Sequence, residues 1–88
     1  MKSITTDKMW QVYIIKSTRY KKHYIGCTNN IERRLSEHNK GYNVATANYG
    51  PWLIVHFEKF NNQQEAYMRE QKIKSFKGGN AFKKLLNL

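Results

Sequence analysis

The 88-residue sequence has little cysteine, proline or acidic side chain, and it has no long apolar run. Its one cysteine, Cys27, excludes an internal disulfide framework, and a lone thiol is typical of a reducing compartment. No apolar run approaches the roughly 20 residues of a membrane-spanning helix. Residues 1–8 lack the apolar stretch of a secretory signal, so we expect a flexible N-terminal tail and a cytoplasmic protein.

Basic side chains greatly outnumber acidic ones, 16 against 6, which gives a formal net charge of +10. The usual partner of such an excess is a polyanion. A merely soluble basic surface, or a small RNA- or ribosome-associated protein, would have the same composition, so charge alone does not identify a nuclease. A hydrophobic content of 40% supports a packed core, and the length allows only one, so we expect a single domain over residues 9–88.

Hydrophobic periodicity and turn residues predict the element order ββαβαα. The predicted strands are residues 10–16, 23–25 and 52–60, and the predicted helices are residues 30–39, 63–76 and 80–86. Gly26 is expected to stop the second strand. The expected helix caps are Asn29, Asn62 and Asn80, the first two with glutamate three residues later.

One position in the second predicted helix interrupts its apolar stripe. Ala66, Ile73 and Phe76 share a face, and Glu70 lies in the middle of it. An unpaired buried charge is strongly unfavourable. Glu70 therefore needs a partner, which could be a lysine, an arginine or a metal ion.

Two tyrosines, an arginine and a histidine could form a site for phosphodiester hydrolysis together with Glu70. Tyr13 and Tyr24 lie on adjacent strands, and Arg34 and His38 are four residues apart on one helix, so their side chains can converge. Arginine binds phosphate through two parallel hydrogen bonds, and Mg²⁺ often takes a single protein carboxylate. Each residue alone also fits a structural role: strand aromatics, a solvated arginine and a satisfied core histidine.

Two stretches of the sequence carry a family resemblance. The first stretch has two parts: Val12-Tyr13-Ile14-Ile15, and then residues 23–41 (His-Tyr-Ile-Gly-Cys-Thr-Asn-Asn-Ile-Glu-Arg-Arg-Leu-Ser-Glu-His-Asn-Lys-Gly). It resembles the GIY-YIG nuclease superfamily, especially its small stand-alone bacterial members. Residues 65–75 resemble the helix that holds that family's metal-binding glutamate. The resemblance covers nearly the whole chain, from Trp10 to Leu86.

The resemblance implies both a fold and an activity. The fold is an α/β domain of the α+β type, with a three-stranded antiparallel sheet flanked by helices. The activity is endonucleolytic cleavage of DNA that depends on Mg²⁺ or Mn²⁺. Tyr24, with Tyr13 as its partner, would help to deprotonate the attacking water, and Arg34 would hold the scissile phosphate. His38 would assist proton transfer, and Glu70 would be the only protein ligand to the metal.

The resemblance does not identify the physiological DNA substrate. Branched or flapped DNA, in repair or recombination, is among the options. Because the chain has no second DNA-binding domain, we expect either that a partner protein supplies targeting or that the substrate is recognised by its shape. The alternative is a non-catalytic nucleic-acid-binding module. Residues 44–50 carry no charge, so this loop is not expected to be a major DNA contact. Nearby Tyr42, Tyr49 and Trp52 could stack on unpaired bases or simply pack.

Overall fold

The computed structural model describes residues 9–87, and the predicted tail at residues 1–8 lies outside this range. The elements are β1 (Trp10–Ser17), β2 (His23–Thr28), α1 (Ile31–Asn39), β3 (Trp52–Phe60), α2 (Gln63–Phe76) and α3 (Asn80–Leu85). The three strands form one antiparallel sheet in the order β2-β1-β3. The predicted α+β class, element order and three-stranded sheet are confirmed.

The central strand β1 divides the interior into two clusters because its successive side chains point to opposite faces of the sheet. Val12 and Ile14 face α2 and α3, where they pack with Ile25, Ala66, Ile73 and Phe82. Tyr13 and Ile15 face the other side, where they pack with Trp52, Tyr24, Tyr49 and the α1 residues Ile31 and Leu35. Helices therefore pack against β1 from both faces of the sheet.

The second strand is longer than the sequence predicts, because Gly26 lies inside β2 and does not end it. Gly26 pairs directly with Tyr13, and opposite residues of an antiparallel pair share a face. A Cβ atom at position 26 would lie 2.5 Å from the Tyr13 hydroxyl oxygen. Glycine is needed here for the close approach of an aromatic ring from the neighbouring strand, and not to stop the strand.

The helix α2 begins as predicted: the Asn62 side chain accepts a hydrogen bond of 2.9 Å from the Glu65 backbone N–H. The prediction for α1 is wrong by one residue, since Asn30 and not Asn29 caps the helix by accepting from the Arg33 N–H. Asn30 is itself placed by a hydrogen bond from its backbone N–H to the Thr28 hydroxyl. This contact with the end of β2 places Asn30, and not Asn29, at the cap position of α1.

The predicted cap of α3 is also wrong. Gly79 occupies the N-cap position, and no side chain caps the helix there. Asn80 is the first helical residue and is exposed. Within residues 9–87, no helix combines the length and the apolar character needed to cross a membrane.

Candidate active site

A chain of buried hydrogen bonds runs from β1 through α1 to the loop that follows it. The Tyr13 hydroxyl lies 2.9 Å from His38 Nε2, and His38 Nδ1 lies 2.8 Å from Thr46 Oγ1. Thr46 Oγ1 in turn is within 3.4 Å of the Asn43 carbonyl oxygen. All the groups are satisfied if Tyr13 donates to Nε2, Nδ1–H donates to Thr46, and Thr46 donates to the carbonyl. His38 is then a neutral imidazole with a defined tautomer.

Burial fixes the protonation of Tyr13 and His38, which are each only 1% exposed. It raises the pKa of the Tyr13 phenol to about 12, although the nearby Arg34 opposes this shift. Burial, and then the positive charge of Arg34, lower the pKa of His38 to about 4. At neutral pH the Tyr13 hydroxyl therefore keeps its proton, and the His38 imidazole is an uncharged acceptor for it.

We expect the protein to lose stability as pH falls from about 6.5 towards 4.5. His38 binds its proton at a lower pH when folded than when unfolded, so the unfolded state takes up more protons in this window. The loss of unfolding free energy attributable to His38 should be about 2 to 3 kcal/mol. Urea unfolding at several pH values measures it, and His38→Gln should remove most of the pH dependence. Equal slopes in the two proteins would contradict a neutral buried His38.

Arg34 extends from α1 beside Tyr13 and is held in place by Glu37. Its Nη1 lies 2.9 Å from Glu37 Oε1, and its side chain is 29% exposed. Burial lowers the pKa of Arg34, but bonding to Glu37 and Tyr13 outweighs burial, and the net shift is upward. Arg33 also pairs with Glu37, at a longer 3.7 Å, and the Arg33 side chain is 61% exposed. Of the two arginines, Arg34 is the one directed towards the tyrosines.

Tyr24 lies next to the same group. Its ring centroid is 4.8 Å from that of His38 and 6.4 Å from that of Tyr13. Tyr24 is half-buried, whereas Tyr13 is fully enclosed. Tyr24 also contributes to the upward pKa shifts of Arg34 and Lys74, which places its phenol among two cationic side chains. Four of the five residues predicted from the sequence thus lie together on the α1 side of the sheet.

Glu70 comes from α2, on the other face of the sheet, and lies buried between Ala66 and Ile73 as the sequence predicts. Its carboxylate contacts the β2 residue Cys27, whose thiol pKa is raised to about 11 by burial and then by Glu70. Glu70 also helps to raise the pKa of Tyr13, so its charge is close enough to affect the tyrosine cluster. All five predicted residues therefore lie on β2 or beside it. Four of them are on one face of the sheet, and Glu70 approaches from the other face.

The partner of Glu70 in the structure is a lysine. Lys74 Nζ lies 2.8 Å from Glu70 Oε2, and the Lys74 side chain is 47% exposed. Of the three partners considered from the sequence, the lysine is the one realised. Burial of this carboxylate alone is therefore not evidence for a metal.

The donor set around Glu70 is nevertheless compatible with a hard divalent cation. Across residues 9–87, no group of three or more His, Cys, Asp and Glu side chains converges, so a site enclosed by protein ligands is not formed there. Mg²⁺ commonly binds through one or two carboxylates and completes its shell with waters and phosphate oxygens. Glu70 alone fits this pattern.

Two residues of this cluster, Lys74 and Thr46, were not predicted from the sequence. Lys74 could have been found, because a lysine four residues after a glutamate is well placed to pair with it. Thr46 could not have been predicted in this way. It reaches His38 only through the conformation of the loop at residues 40–51, which local sequence patterns do not specify. The same loop buries Trp52, whose indole N–H donates to the Thr46 carbonyl, so Trp52 packs in the core. Tyr42, in contrast, is exposed.

The chain is similar to a known family along nearly its whole length: the GIY-YIG catalytic domain family matches residues 9–83. A UPF0213 protein of Clostridium perfringens is 44% identical over 64 residues, which cover 72% of this chain and 68% of that protein. A UPF0213 protein of Oceanobacillus iheyensis is 38% identical over 69 residues, 77% of this chain and 79% of that protein. The solution NMR structure of a UPF0213 protein from Bacillus halodurans is 27% identical, covers 83% of this chain and 89% of that chain, and has a TM-score of 0.45. With its tyrosines, arginine and glutamate arranged around β2, this chain belongs to the GIY-YIG nuclease family.

Proposed function

We propose that the protein is a Mg²⁺- or Mn²⁺-dependent DNA endonuclease that hydrolyses phosphodiester bonds. The observation that carries the proposal is the convergence of Tyr13, Tyr24, Arg34 and His38 on one side of β2, with Glu70 reaching β2 from the other face. Such a grouping supplies what phosphodiester hydrolysis requires. It has a cation for the phosphate, groups that accept and pass protons, and a carboxylate for a metal.

Arg34 is the proposed phosphate-binding residue. One of its guanidinium nitrogens donates to Glu37, and the remaining N–H groups are left for a substrate oxygen. The upward shift of its pKa keeps the charge fixed during the reaction. Its partial burial also makes each hydrogen bond to phosphate stronger than one formed in bulk water.

Tyr24 is the proposed acceptor of the proton from the attacking water. It is more exposed than Tyr13, and its phenol lies near the positive charges of Arg34 and Lys74. Tyr13, whose pKa is raised to about 12 by burial, stays protonated at neutral pH and instead acts as the partner of Tyr24.

His38 is proposed to assist proton transfer through Tyr13. Its Nε2 accepts the Tyr13 hydroxyl at 2.9 Å, and its pKa, lowered to about 4 by burial, leaves it neutral. Thr46 fixes the imidazole from the other side and so aims Nε2 at the tyrosine.

Glu70 is the proposed ligand for the divalent cation. Such a cation, when bound, would neutralise charge on the phosphate and favour ionisation of a bound water. Glu70 is held on the rigid helix α2 by its neighbours in the core, so its carboxylate is positioned before substrate binds.

The Glu70–Lys74 ion pair favours a second candidate function, a non-catalytic nucleic-acid-binding module. In that case the pair would be purely structural, and the basic surface would provide binding alone. The two functions differ in a direct assay. The protein is incubated with linear, branched and flapped DNA, with Mg²⁺, with Mn²⁺ and with EDTA.

An endonuclease should give cleavage products only when metal is present. The DNA that is cut fastest then identifies the preferred structure, which bears on a role in repair or recombination. Salt-sensitive binding without cleavage in either metal would instead support the binding module. A further titration with Mg²⁺, followed by NMR, should shift the signals around Glu70. No shift near Glu70 at any Mg²⁺ concentration would contradict the metal site.

A further inference from the structure

A basic cavity lies beyond the candidate active site, where the β1–β2 turn meets the junction of α2 and α3. Its volume is about 640 Å³. The lining residues are Lys21, Lys22, His23, Lys77, Gly78, Gly79, Phe82 and Lys83. The buried Phe82 packs edge-on against the His23 ring at 5.3 Å, which gives the cavity an apolar wall among its lysines. This cavity is separate from the cluster around Tyr13.

The positive charge of this cavity is not neutralised by the described part of the chain. No acidic residue lines it, and no ion pair within residues 9–87 involves its lysines. Lys22 is the least available, because its ammonium lies 4.3 Å from the centre of the Tyr49 ring. Burial, and then Lys22 and Lys74, lower the pKa of Lys77, while burial, Lys16 and Lys77 lower that of His23. Positive charges therefore repel one another here, and an anion would relieve the repulsion.

The cavity is connected to the candidate active site through both β2 and α2. Lys77 donates a hydrogen bond of 2.7 Å to the carbonyl of His23, the residue next to Tyr24. Lys77 is the C-cap residue of α2 and follows Glu70, which lies within that helix, by seven residues, about 10 Å along the helix axis. This separation corresponds to a few phosphate spacings at most along one DNA strand.

We infer that this cavity binds a backbone phosphate of the same DNA strand, a few nucleotides from the bond that is cut, an inference that rests on the proposed function. Lys21, Lys77 and Lys83 supply the charge. Lys77 can hold the His23 carbonyl and still donate to a phosphate, because an ammonium has three N–H groups. The inference explains how this domain positions a strand at its site.

The test compares two double variants of the full chain with equal net charge. Lys21→Gln with Lys83→Gln changes the cavity, and Lys40→Gln with Lys59→Gln changes exposed lysines that do not line it. Affinity for a DNA duplex is measured in EDTA from 50 to 300 mM salt. The cavity variant should reduce the slope of log affinity against log salt by about 1, since the cavity holds one phosphate and each lost phosphate contact removes about one unit. The control variant should leave the slope nearly unchanged.

A second measurement follows the His23 ring by NMR with and without DNA. A phosphate in the cavity should raise the pKa of His23 and shift the amide signals of Gly78 and Gly79, and Lys77→Arg should preserve both effects. Equal slopes in the two double variants, or His23 and glycine signals that do not respond to DNA, would overturn the inference. Because binding is measured without metal, a protein that binds through the cavity but never cleaves would contradict only the nuclease proposal. A protein that cleaves without these responses would contradict only the cavity.

Discussion

Glu70→Gln should lower the rate of Mg²⁺-dependent DNA cleavage by a factor of roughly 10² or more, as the loss of one electrostatic contact at a reacting phosphate usually does. Glutamine keeps the shape of the side chain but loses the negative charge that a divalent cation needs. The change should alter the unfolding free energy by less than about 1 kcal/mol, because the ion pair it removes involves the half-exposed Lys74. Single-turnover cleavage and urea unfolding measure the two effects.

Glu65→Gln is the matched control for this variant. Glu65 lies in the first turn of the same helix, is exposed, and interacts through its backbone N–H with the cap residue Asn62. The Glu65→Gln substitution removes the same charge from α2 without affecting the candidate site. The cleavage rate of this variant should therefore remain near that of the unmodified protein. Equal rates for Glu70→Gln and Glu65→Gln would show that Glu70 is not the metal ligand.

Arg34→Gln should produce a loss of similar size, about 10²-fold or more in the rate of cleavage. Within residues 9–87, Arg34 is the one arginine that affects the Tyr13 pKa. Glutamine cannot supply the charge of its guanidinium or its paired hydrogen bonds. Arg34→Lys should recover only part of the rate, because lysine keeps the charge but loses the planar fork. Circular dichroism should show that both variants remain folded.

Arg33→Gln provides the comparison on the same helix. Arg33 also pairs with Glu37, yet its side chain is twice as exposed as that of Arg34 and is not among the groups that shift the Tyr13 pKa. Its removal should weaken DNA binding slightly through the lost charge and leave the cleavage step unchanged. If Arg33→Gln and Arg34→Gln reduced cleavage equally, the effect would come from overall charge and not from a phosphate contact.

Local sequence signals predicted most of the fold because they act over a few residues. The Asn62–Glu65 spacing located the start of α2, and the run of β-branched and aromatic residues located β3 with the bounds that the structure has. The buried face of α2, including Glu70, followed from helical periodicity. In each case the physical cause lies within the element itself.

The errors and omissions have a different origin, since they depend on contacts between distant parts of the chain. Gly26 was expected to end β2, and only its pairing with Tyr13 shows why it lies inside the strand, although the family resemblance implied close packing there. Thr46 became recognisable only when the loop after α1 placed its hydroxyl against His38. The hydrogen-bond partner of a buried polar group is set by tertiary structure, and a single sequence does not contain it in readable form.

The two-sided packing of β1 has a consequence for how this protein can change over time. Tyr13 faces the candidate site, while its neighbours Val12 and Ile14 face the apolar cluster under α2. Selection for chemistry and selection for folding therefore act on alternate residues of a single strand. A substitution at either kind of position can be compensated on its own side of the sheet, but the spacing between them cannot change, because a slip of one residue would exchange the two faces. Insertions and deletions should be excluded from β1 more strictly than substitutions.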